Sequence, residues 1–328
     1  MKLLITGGNG FIGSNLIIRI LNKYKKYKIL NLDCNTYASN ISDLGFLNKH
    51  KNYNYSKINI CNFEVLKKKF NSYKPDVILN LAAETHVDNS IKSPKNFINT
   101  NIIGTYNLLE ISRVYYQSNK KKILFVQIST DEVYGDLGFK KLEFKENSLI
   151  MPSSPYSASK ASGDHLVSSY FRTYKLPTII TRCTNNYGPY QSFEKLIPKV
   201  IFNALNDKPI PVYNKGKEIR DWIHVIDHVD AILKVIKHGK KGNVYNIGSQ
   251  NQMTNIRLIK KILYLIGEKN KNYKDLLKLI KFVNNRPGHD YKYAIDNSKS
   301  KKKLNWRPKI KFDYGIKKTI DWYINKRN

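Results

Sequence analysis

The stretch "LLITGGNGFIGSNL" (residues 3–16) decides the fold, because an apolar run meets three spaced glycines and then an amphipathic segment. Gly7, Gly10 and Gly13 lie where a strand would turn into a helix. Glycine at such a junction permits a tight turn and lets the backbone approach a pyrophosphate, whose charge meets the helix N-terminus. A glycine turn can also simply connect two elements. The pattern therefore predicts a phosphate-binding unit if its surroundings agree.

The residue that ends the next predicted strand provides this agreement. Asp33 follows Gly13 by 20 residues and closes the run "KILNLD" (residues 28–33). A carboxylate at that position can accept hydrogen bonds from both hydroxyls of an adenosine ribose and would repel a 2′-phosphate. The two motifs together predict a dinucleotide site, and they favour NAD over NADP.

Short apolar runs alternate with longer helical patterns through the first half of the chain. The runs cover residues 2–6, 28–33, 76–83, 123–129 and 177–182, and amphipathic stretches cover residues 11–24 and 101–116. This alternation predicts an α/β fold, a Rossmann-type doubly wound parallel sheet with both faces covered. We expect an NAD-binding domain over residues 1–184 and a smaller C-terminal α/β substrate-binding lobe over 185–328. Segments near 222–248 and 293–300 are expected to return to the large domain.

The formal charge of +32 is the unusual feature of the composition. Such a surplus would suit nucleic acid, an anionic membrane or acidic small ligands. The lysines are scattered in short clusters beside many Asn and Tyr, which favours a solvated surface over a nucleic-acid site. We therefore predict a small-molecule substrate, no nucleic-acid partner and no membrane partner.

The cysteines and the first residues indicate the compartment. Cys34, Cys61 and Cys183 are odd in number and far apart, which fits a reducing environment better than a disulfide framework. The opening apolar stretch is too short for a signal peptide, and no run approaches the length of a membrane span. We predict a cytoplasmic protein.

Tyr156 and Lys160 stand four residues apart on a predicted helix and therefore on one face. Such a pair alone is usually a solvated surface pair. Beside a nicotinamide, the ammonium and the cofactor cation would lower the phenol pKa from its ordinary value of ~10. A phenolate there can take a proton from a substrate alcohol as hydride leaves.

In "ILFVQISTDEVYG" (residues 123–135), two adjacent carboxylates, Asp131 and Glu132, follow an apolar strand. Unpaired carboxylates beside a core cost free energy, so they need a reason. One alternative is structural: the turn caps the next helix, with Asp131 accepting backbone amides. The other is chemical, because adjacent carboxyls at unequal burial can hold unequal pKa values, one protonated and one ionised.

With these motifs in place, the chain resembles the nucleotide-sugar 4,6-dehydratases of the extended short-chain dehydrogenase/reductase superfamily. The similarity runs from Lys2 to about Tyr323. It rests on "GGNGFIG", "NLAAETHVDNSI", "STDEVYGD", "PYSASKASGDHLV", "RCTNNYGPYQSFEKLIP", "PVYNKGKEIRDWIHVIDH" and "NNRPGHDYKYAID".

This resemblance implies an activity. The family oxidises a sugar nucleotide such as dTDP- or UDP-glucose at carbon 4 with bound NAD, eliminates water across carbons 5 and 6, and returns hydride to carbon 6. The product is a 4-keto-6-deoxy sugar nucleotide, a precursor of deoxysugars such as rhamnose. The family also implies a homodimer formed by two helices, here about residues 99–117 and 156–174.

The resemblance further implies roles for individual residues. Asp131 would be the general acid, Glu132 the general base and Thr130 the partner of the carbon 4 oxygen, while Tyr156 and Lys160 carry out the oxidation. The implied cofactor-binding residues are Gly7, Gly10, Phe11, Ile12, Gly13, Asp33, Asn35, Thr36, Asn59, Ile60, Leu81, Ala82, Ala83, Thr85, Tyr156, Lys160 and Asn186. The implied substrate-binding residues are Thr85, His86, Thr130, Asn185, Lys195, Leu196, Pro211, Tyr213, Arg220, Asn255, Arg286 and His289.

Two rival functions stay open beside this interpretation. A nucleotide-sugar 4-epimerase shares the glycine motif and the Tyr–Lys pair but lacks the acid pair. The high charge suggests a non-catalytic NAD- or nucleic-acid-binding protein.

The chain departs from the family pattern at one position: it carries Asn59 where the family usually has an Asp near the adenine. His224 and His228 are four residues apart but lack a third ligand, so we predict no metal site.

Overall fold

The computed structural model describes residues 1–119, 122–269 and 271–327. Its strands are β1 (Lys2–Thr6), β2 (Lys28–Asp33), β3 (Tyr53–Lys57), β4 (Val77–Asn80), β5 (Leu124–Thr130), β6 (Thr178–Cys183), β7 (Asn185–Tyr187), β8 (Ile210–Tyr213), β9 (Ile219–His224), β10 (Val244–Ile247), β11 (Gln252–Thr254) and β12 (Ile280–Val283). Its α-helices are α1 (Phe11–Lys23), α2 (Phe63–Tyr73), α3 (Val87–Lys92), α4 (Pro94–Phe97), α5 (Gly104–Asn119), α6 (Pro155–Tyr174), α7 (Leu196–Leu205), α8 (Val225–His238), α9 (Asn255–Gly267), α10 (Tyr273–Lys278), α11 (Ser298–Leu304) and α12 (Phe312–Arg327).

The large sheet has seven parallel strands in the order β10-β6-β5-β4-β1-β2-β3. Strand β1 lies between β2 and β4, so the direction of strand addition reverses there. Ligands of open α/β sheets bind at this switch point, outside the carboxyl ends of the strands. The predicted Rossmann-type doubly wound sheet is therefore confirmed.

Successive residues of β1 point to opposite faces of the sheet and enter two different cores. Leu3 and Ile5 pack with Leu16 and Ile20 of α1, in a core that also holds α8. Leu4 packs with the apolar faces of α2, α5 and α6 on the other side. Because both faces are buried, the strands are continuous apolar runs rather than alternating ones.

A second, smaller lobe follows the sixth strand. It contains a three-stranded sheet in the order β11-β9-β7 and the two-stranded parallel pair β12-β8. Its core gathers apolar residues of α7, α9 and α12 around Trp222. Strand β10 pairs with β6 in the large sheet, and α11 bonds to β10 through Ser300 Oγ and the carbonyl of Asn246 at 2.6 Å. The division of the chain at residue 184 stays a prediction.

Three further observations concern the π-helix before α5, membrane-spanning helices and metal-binding groups. Residues Ile98–Ile103 form a π-helix that leads into α5. No helix among the described residues is long and apolar enough to cross a membrane. In the same described ranges, no group of three or more His, Cys, Asp or Glu side chains is placed to hold a metal ion.

Candidate active site

A cleft of about 340 Å³ lies at the carboxyl ends of the large sheet, where loops after β1, β4, β5 and β6 meet the loop before α7. Most of the residues proposed from the sequence line it. They are Gly7, Gly10, Phe11, Ile12, Gly13, Asp33, Thr36, Asn59, Ile60, Leu81, Ala82, Ala83, Thr85, Thr130, Asp131, Glu132, Tyr156, Lys160, Asn185, Asn186, Lys195 and Leu196.

The glycine turn has the close contacts that the motif predicts. Gly7 has φ +68°, and a Cβ there would lie 2.6 Å from the backbone nitrogen of Ala82. A Cβ on Gly13 would lie 2.3 Å from the carbonyl oxygen of Gly7. The turn therefore needs glycine at both positions, and it brings bare backbone to the N-terminus of α1. That arrangement fits the pyrophosphate of a dinucleotide.

Asp33 ends β2 and lines the same end of the cleft. Its two carboxylate oxygens accept hydrogen bonds from the backbone amides of Asn9 (2.9 Å) and Asn35 (2.8 Å). Burial raises the pKa of Asp33, and these two amides counteract the rise. Each oxygen keeps a second lone pair for a ligand hydroxyl, so the fixed carboxylate fits an adenosine ribose.

Helix α6 carries the Tyr–Lys pair into the cleft. A capping box formed by Ser154 and Ser157 and a proline in the first turn define its start. Both Tyr156 and Lys160 are buried, at 8% and 5% exposure. The Lys160 ammonium donates to the carbonyl of Ile128 at 2.7 Å, which ties the helix to β5.

The protein's own groups raise the pKa of Tyr156 well above its ordinary value. Burial is the main cause, the charge of Glu132 adds to it, and a hydrogen bond with Thr130 opposes it. The sequence-based prediction, that the Lys160 ammonium and a bound nicotinamide cation together lower this pKa, stays a prediction. Burial likewise lowers the pKa of Lys160, against the charge of Asp164. Ionisation of the phenol therefore requires additional positive charge beside it.

Residues Asp131–Tyr134 form a short 3-10 helix, here called the carboxylate turn, at the end of β5. Thr130 caps it, since its hydroxyl oxygen accepts from the Glu132 amide at 3.3 Å. The structural alternative, in which Asp131 is the cap, is therefore wrong. Asp131 Oδ1 accepts from the Thr130 hydroxyl at 3.3 Å, and Oδ2 is buried without a hydrogen-bond partner among the described residues.

The two carboxyls of the carboxylate turn have different surroundings. Asp131 is 2% exposed, and burial, followed by the charge of Glu132, raises its pKa well above the ordinary value. Burial also raises the pKa of Glu132, which is partly exposed, but Arg220, Arg286 and Lys195 counteract the rise. The arrangement therefore favours a proton on Asp131 and a charge on Glu132.

Five of the residues proposed to bind substrate form an outer cluster beside the cleft: Tyr213, Arg220, Asn255, Arg286 and His289. The Arg286 guanidinium pairs with Asp88 at 2.7 Å, and the Tyr213 hydroxyl lies 3.4 Å from the same carboxylate. The His289 ring packs edge-on against Tyr213 with 5.9 Å between centroids.

Two buried groups connect the rest of the outer cluster. Glu218, which is 1% exposed, accepts from the Asn255 amide at 3.3 Å and lies 3.7 Å from His289 Nδ1. Arg220 donates to the carbonyls of Asp290 and Tyr291, at 2.8 and 3.2 Å. The charges of Arg220 and Arg286 both lower the pKa of Glu132, so the cluster contributes positive charge to the carboxylate turn.

Three of the proposed residues lie apart from both the cleft lining and the outer cluster. Asn35 faces away, because its amide oxygen accepts from Asn9 at 2.8 Å and its amide nitrogen donates to Tyr55 at 2.7 Å. His86 caps α3 through the amide of Asn89 at 3.3 Å. Pro211 is exposed on β8.

Several residues that the sequence reasoning missed also line the cleft, among them Glu84, Trp222 and Glu194. Glu84 follows the predicted strand 76–83, and Glu194 directly precedes Lys195. The only sequence signal that could have identified these residues was their place inside the motifs quoted above. A single residue within a motif does not by itself indicate a chemical role.

His228 does not act with His224, although they are four residues apart. His224 caps α8 through the amide of Ile226, while His228 Nδ1 lies 3.0 Å from the Asn186 amide oxygen. Asn186 in turn donates to the carbonyl of Thr184 at 2.9 Å. Burial lowers the pKa of His228 to about 3, so a neutral ring holds the Asn186 amide in the cleft.

Comparison with known proteins agrees with the resemblance found in the sequence. A family model described as GDP-mannose 4,6 dehydratase matches residues 4–319. The dTDP-glucose 4,6-dehydratase of Salmonella typhimurium is 46% identical over 99% of this chain and 93% of its own length.

Two solved structures extend this similarity to the fold. The dTDP-glucose 4,6-dehydratase of Bacillus anthracis, in complex with NAD, is 43% identical, has a TM-score of 0.89 and covers 100% of this chain and 97% of its own. The dTDP-glucose 4,6-dehydratase of Streptomyces venezuelae, with NAD and TYD bound, is 35% identical, has a TM-score of 0.92 and covers 100% and 98%. The chain therefore belongs to the nucleotide-sugar 4,6-dehydratase family of the extended short-chain dehydrogenases/reductases.

Proposed function

We propose that this chain is an NAD-dependent nucleoside-diphosphate-glucose 4,6-dehydratase. It converts dTDP- or UDP-glucose into the 4-keto-6-deoxy sugar nucleotide and water. One observation carries this proposal: Asp131 and its neighbour Glu132 share a cleft with Tyr156 and Lys160, and one buried carboxyl oxygen of Asp131 has no hydrogen-bond partner in the described part of the chain. The activity of the relatives named above supports it.

The residues present fit NAD. The Gly7–Gly13 turn leaves room for a pyrophosphate, and Asp33 has lone pairs for ribose hydroxyls. When bound, NAD supplies reversible hydride transfer, so the sugar can be oxidised transiently and the cofactor is restored in each turnover.

Tyr156 is proposed to take the proton of the sugar hydroxyl at carbon 4 as that carbon is oxidised. Thr130, which hydrogen-bonds Tyr156, would hold the same sugar oxygen. Since burial favours the neutral phenol, its ionisation depends on the positive charges around it, and the Lys160 ammonium provides one of them. Lys160 is held in place by the carbonyl of Ile128.

The carboxylate turn is proposed to carry out the elimination. A ketone at carbon 4 makes the proton on carbon 5 removable, and Glu132 accepts it as general base. Asp131, kept protonated by burial, donates its proton to the departing hydroxyl on carbon 6, which leaves as water. The double bond between carbons 5 and 6 would then be reduced when the hydride returns to carbon 6 and a proton returns to carbon 5. Arg220, Arg286 and Lys195 keep Glu132 closer to its ordinary pKa and so available as a base.

The outer cluster and Lys195 are proposed to bind the nucleotide part of the substrate. Guanidinium groups suit the paired oxygens of a diphosphate, and the charges of Arg220 and Arg286 both act on Glu132 of the carboxylate turn. Tyr213, Asn255 and His289 then surround the nucleoside. Thymine and uracil differ by one methyl group, which in a pocket corresponds to roughly 1–3 kcal/mol, so we expect both nucleotides to be accepted.

A 4-epimerase is the closest alternative function. It would need the glycine turn, Tyr156 and Lys160 but no second acid–base pair. A buried Asp131 carboxyl with one oxygen unpartnered within the described ranges costs free energy unless it serves a purpose. The carboxylate turn therefore favours the dehydratase.

Product analysis with separate substrates tests this function. The NAD-loaded protein is incubated with dTDP-glucose, UDP-glucose or GDP-mannose, and the products are identified by mass and NMR. We expect loss of one water and a 4-keto-6-deoxy sugar from a glucose nucleotide. Recovery of the carbon 4 epimer without loss of water would show an epimerase instead.

We also propose that the enzyme is a cytoplasmic homodimer. Cys34, Cys61 and Cys183 are free thiols, which suits a reducing compartment. Helix α5 exposes Tyr106 and Val114, at 41% and 46%, and these apolar surfaces suit pairing with a second copy. Sedimentation velocity tests the dimer, and a stable monomer at micromolar concentration would contradict it.

A further inference from the structure

A line of buried side chains outside the cleft lining joins helix α6 to the carboxylate turn. It runs from Asp164 on α6 through Arg182 on β6 to Tyr134, the last residue of the carboxylate turn, and ends at Asn246 on β10. Each step is a direct contact, and all four residues are at most 4% exposed. The line therefore connects the helix that carries Tyr156 with the turn that carries Asp131.

The first step is an ion pair. Arg182 Nε donates to Asp164 Oδ2 at 2.9 Å, and the two side chains are 4% and 1% exposed. Asp164 lies one turn after Lys160 and two turns after Tyr156, on the same face of α6. Its other carboxyl oxygen has no hydrogen-bond partner in the described ranges.

The second step reaches the carboxylate turn. The Arg182 guanidinium carbon lies 4.8 Å from the centroid of the Tyr134 ring, a cation–π contact. The Tyr134 hydroxyl donates to Asn246 Oδ1 at 2.8 Å, and the Asn246 amide donates to the carbonyl of Phe144 at 3.1 Å. Tyr134 is thus held at its ring face and at its hydroxyl, and both contacts anchor the end of the turn that begins at Asp131.

A buried ion pair is often no more stable than apolar side chains of the same size, so stability alone does not account for this one. Its contacts instead connect helix α6 with the carboxylate turn, and in the proposed function these two elements act on adjacent carbons of one sugar. We propose that Asp164, Arg182 and Tyr134 are positioning residues that hold the carboxylate turn in register with Tyr156 and Lys160. Their loss slows the elimination more than the oxidation. This inference rests on the proposed function.

Single-turnover kinetics of three variants test the proposal. Tyr134→Leu removes the aromatic face and the hydroxyl but leaves the ion pair, and Arg182→Met removes the pair. Tyr134→Phe keeps the ring over Arg182 and loses the hydroxyl contact with Asn246. The NAD-loaded variants are mixed with a glucose nucleotide, and NADH absorbance is followed as it rises and then decays. Melting temperature and bound NAD content are measured on the same preparations.

We expect NADH to form within about 3-fold of the parent rate in Tyr134→Leu and Arg182→Met, and to decay about 10-fold or more slowly, because an angstrom-scale displacement is enough for such a loss. Tyr134→Phe, which keeps the ring contact with Arg182, should slow NADH decay less than Tyr134→Leu does. Equal slowing of both steps in the Leu and Met variants would overturn the proposal. If Arg182→Met does not fold, Tyr134→Leu decides the question alone.

The parent protein separates failure of this inference from failure of the proposed function. If it yields neither NADH nor a 4-keto-6-deoxy product, the proposed function is wrong. If it yields both, and the folded, NAD-loaded variants keep the parent ratio of formation and decay, only the positioning role is wrong.

Discussion

The cleft has two halves, one formed by Tyr156 and Lys160 and the other by Asp131 and Glu132, and the two lie on different kinds of element. Tyr156 and Lys160 project from a twenty-residue helix whose start is fixed by a capping box. Asp131 and Glu132 project from a four-residue 3-10 helix capped by one threonine hydroxyl. In the proposed mechanism, the long helix carries the residues of the oxidation and the short turn carries those of the elimination. The part that distinguishes a dehydratase from other enzymes of this fold is therefore the smaller one, and its support comes from the contacts of Tyr134 with Arg182 and Asn246.

The electrostatics of the halves differ in the same way. On the helix, burial opposes both charges that the proposed mechanism needs, the phenolate of Tyr156 and the ammonium of Lys160. On the turn, burial favours the protonated Asp131 that an acid catalyst requires. We infer that the oxidation depends on charge brought by the cofactor, whereas the elimination uses pKa values that the protein sets by itself.

The largest effect should follow from Tyr156→Phe, because elimination requires the ketone that the oxidation forms. We expect NADH formation and product formation to fall together, by about 1,000-fold or more. The ring is retained, so its edge-on contact with Phe97, at 6.3 Å between centroids, persists. Single-turnover absorbance measures the effect, and NADH formation at the parent rate would contradict the role of Tyr156.

Changes in the carboxylate turn should separate the halves. Asp131→Asn and Glu132→Gln should leave NAD bound and NADH formation present, while product formation falls by about 100-fold or more. Rapid-quench product analysis alongside NADH absorbance provides the measurement. Parent-like product formation by the double variant would remove both residues from the mechanism.

A change outside both halves is the control for this comparison. Asp33→Asn replaces the carboxylate that two backbone amides hold in place for the adenosine ribose. NAD should therefore bind about 10-fold more weakly. At saturating NAD, the ratio of NADH formation to decay should equal that of the parent. Titration of NAD measures the affinity, and a changed ratio would show that Asp33 acts on one half specifically.

The smallest effect concerns stability. Burial raises the pKa of Asp131 in the folded state, so the unfolded chain loses that proton first as pH rises above ~3.9. Wild-type stability therefore falls with pH in this window, and Asp131→Asn does not share the loss. The variant should melt roughly 2–4 °C higher at neutral pH and show no difference below pH ~3.9. Calorimetry across this pH range checks the sign.

Much of the fold was predictable because its strands are buried on both faces. The runs 2–6 and 28–33 coincide with β1 and β2, and the stretch 11–24 coincides with α1 to within one residue. The run 76–83 is longer than β4, because its last three residues leave the sheet and line the cleft. Strand β3 was missed, since this edge strand, "YNYSK", has only one buried residue and no apolar run.

The site was predictable where chemistry needs a fixed spacing. The glycine turn, Asp33, Tyr156 and the carboxyl pair were all found in this way, and each lines the cleft. The outer cluster was placed only by resemblance, because its members come from distant parts of the chain. Arg182 and Asp164 could not be found, since a buried ion pair 18 residues apart has no pattern in the sequence.

The central claim is that one cleft oxidises carbon 4, eliminates water next to it and returns the same hydride. The most direct test uses a glucose nucleotide deuterated at carbon 4, mixed with the unlabelled nucleotide and analysed by mass and NMR. We predict that deuterium moves to carbon 6 of the same molecule without exchange between molecules. Deuterium that stays at carbon 4, is lost to solvent or appears in unlabelled molecules would contradict the account.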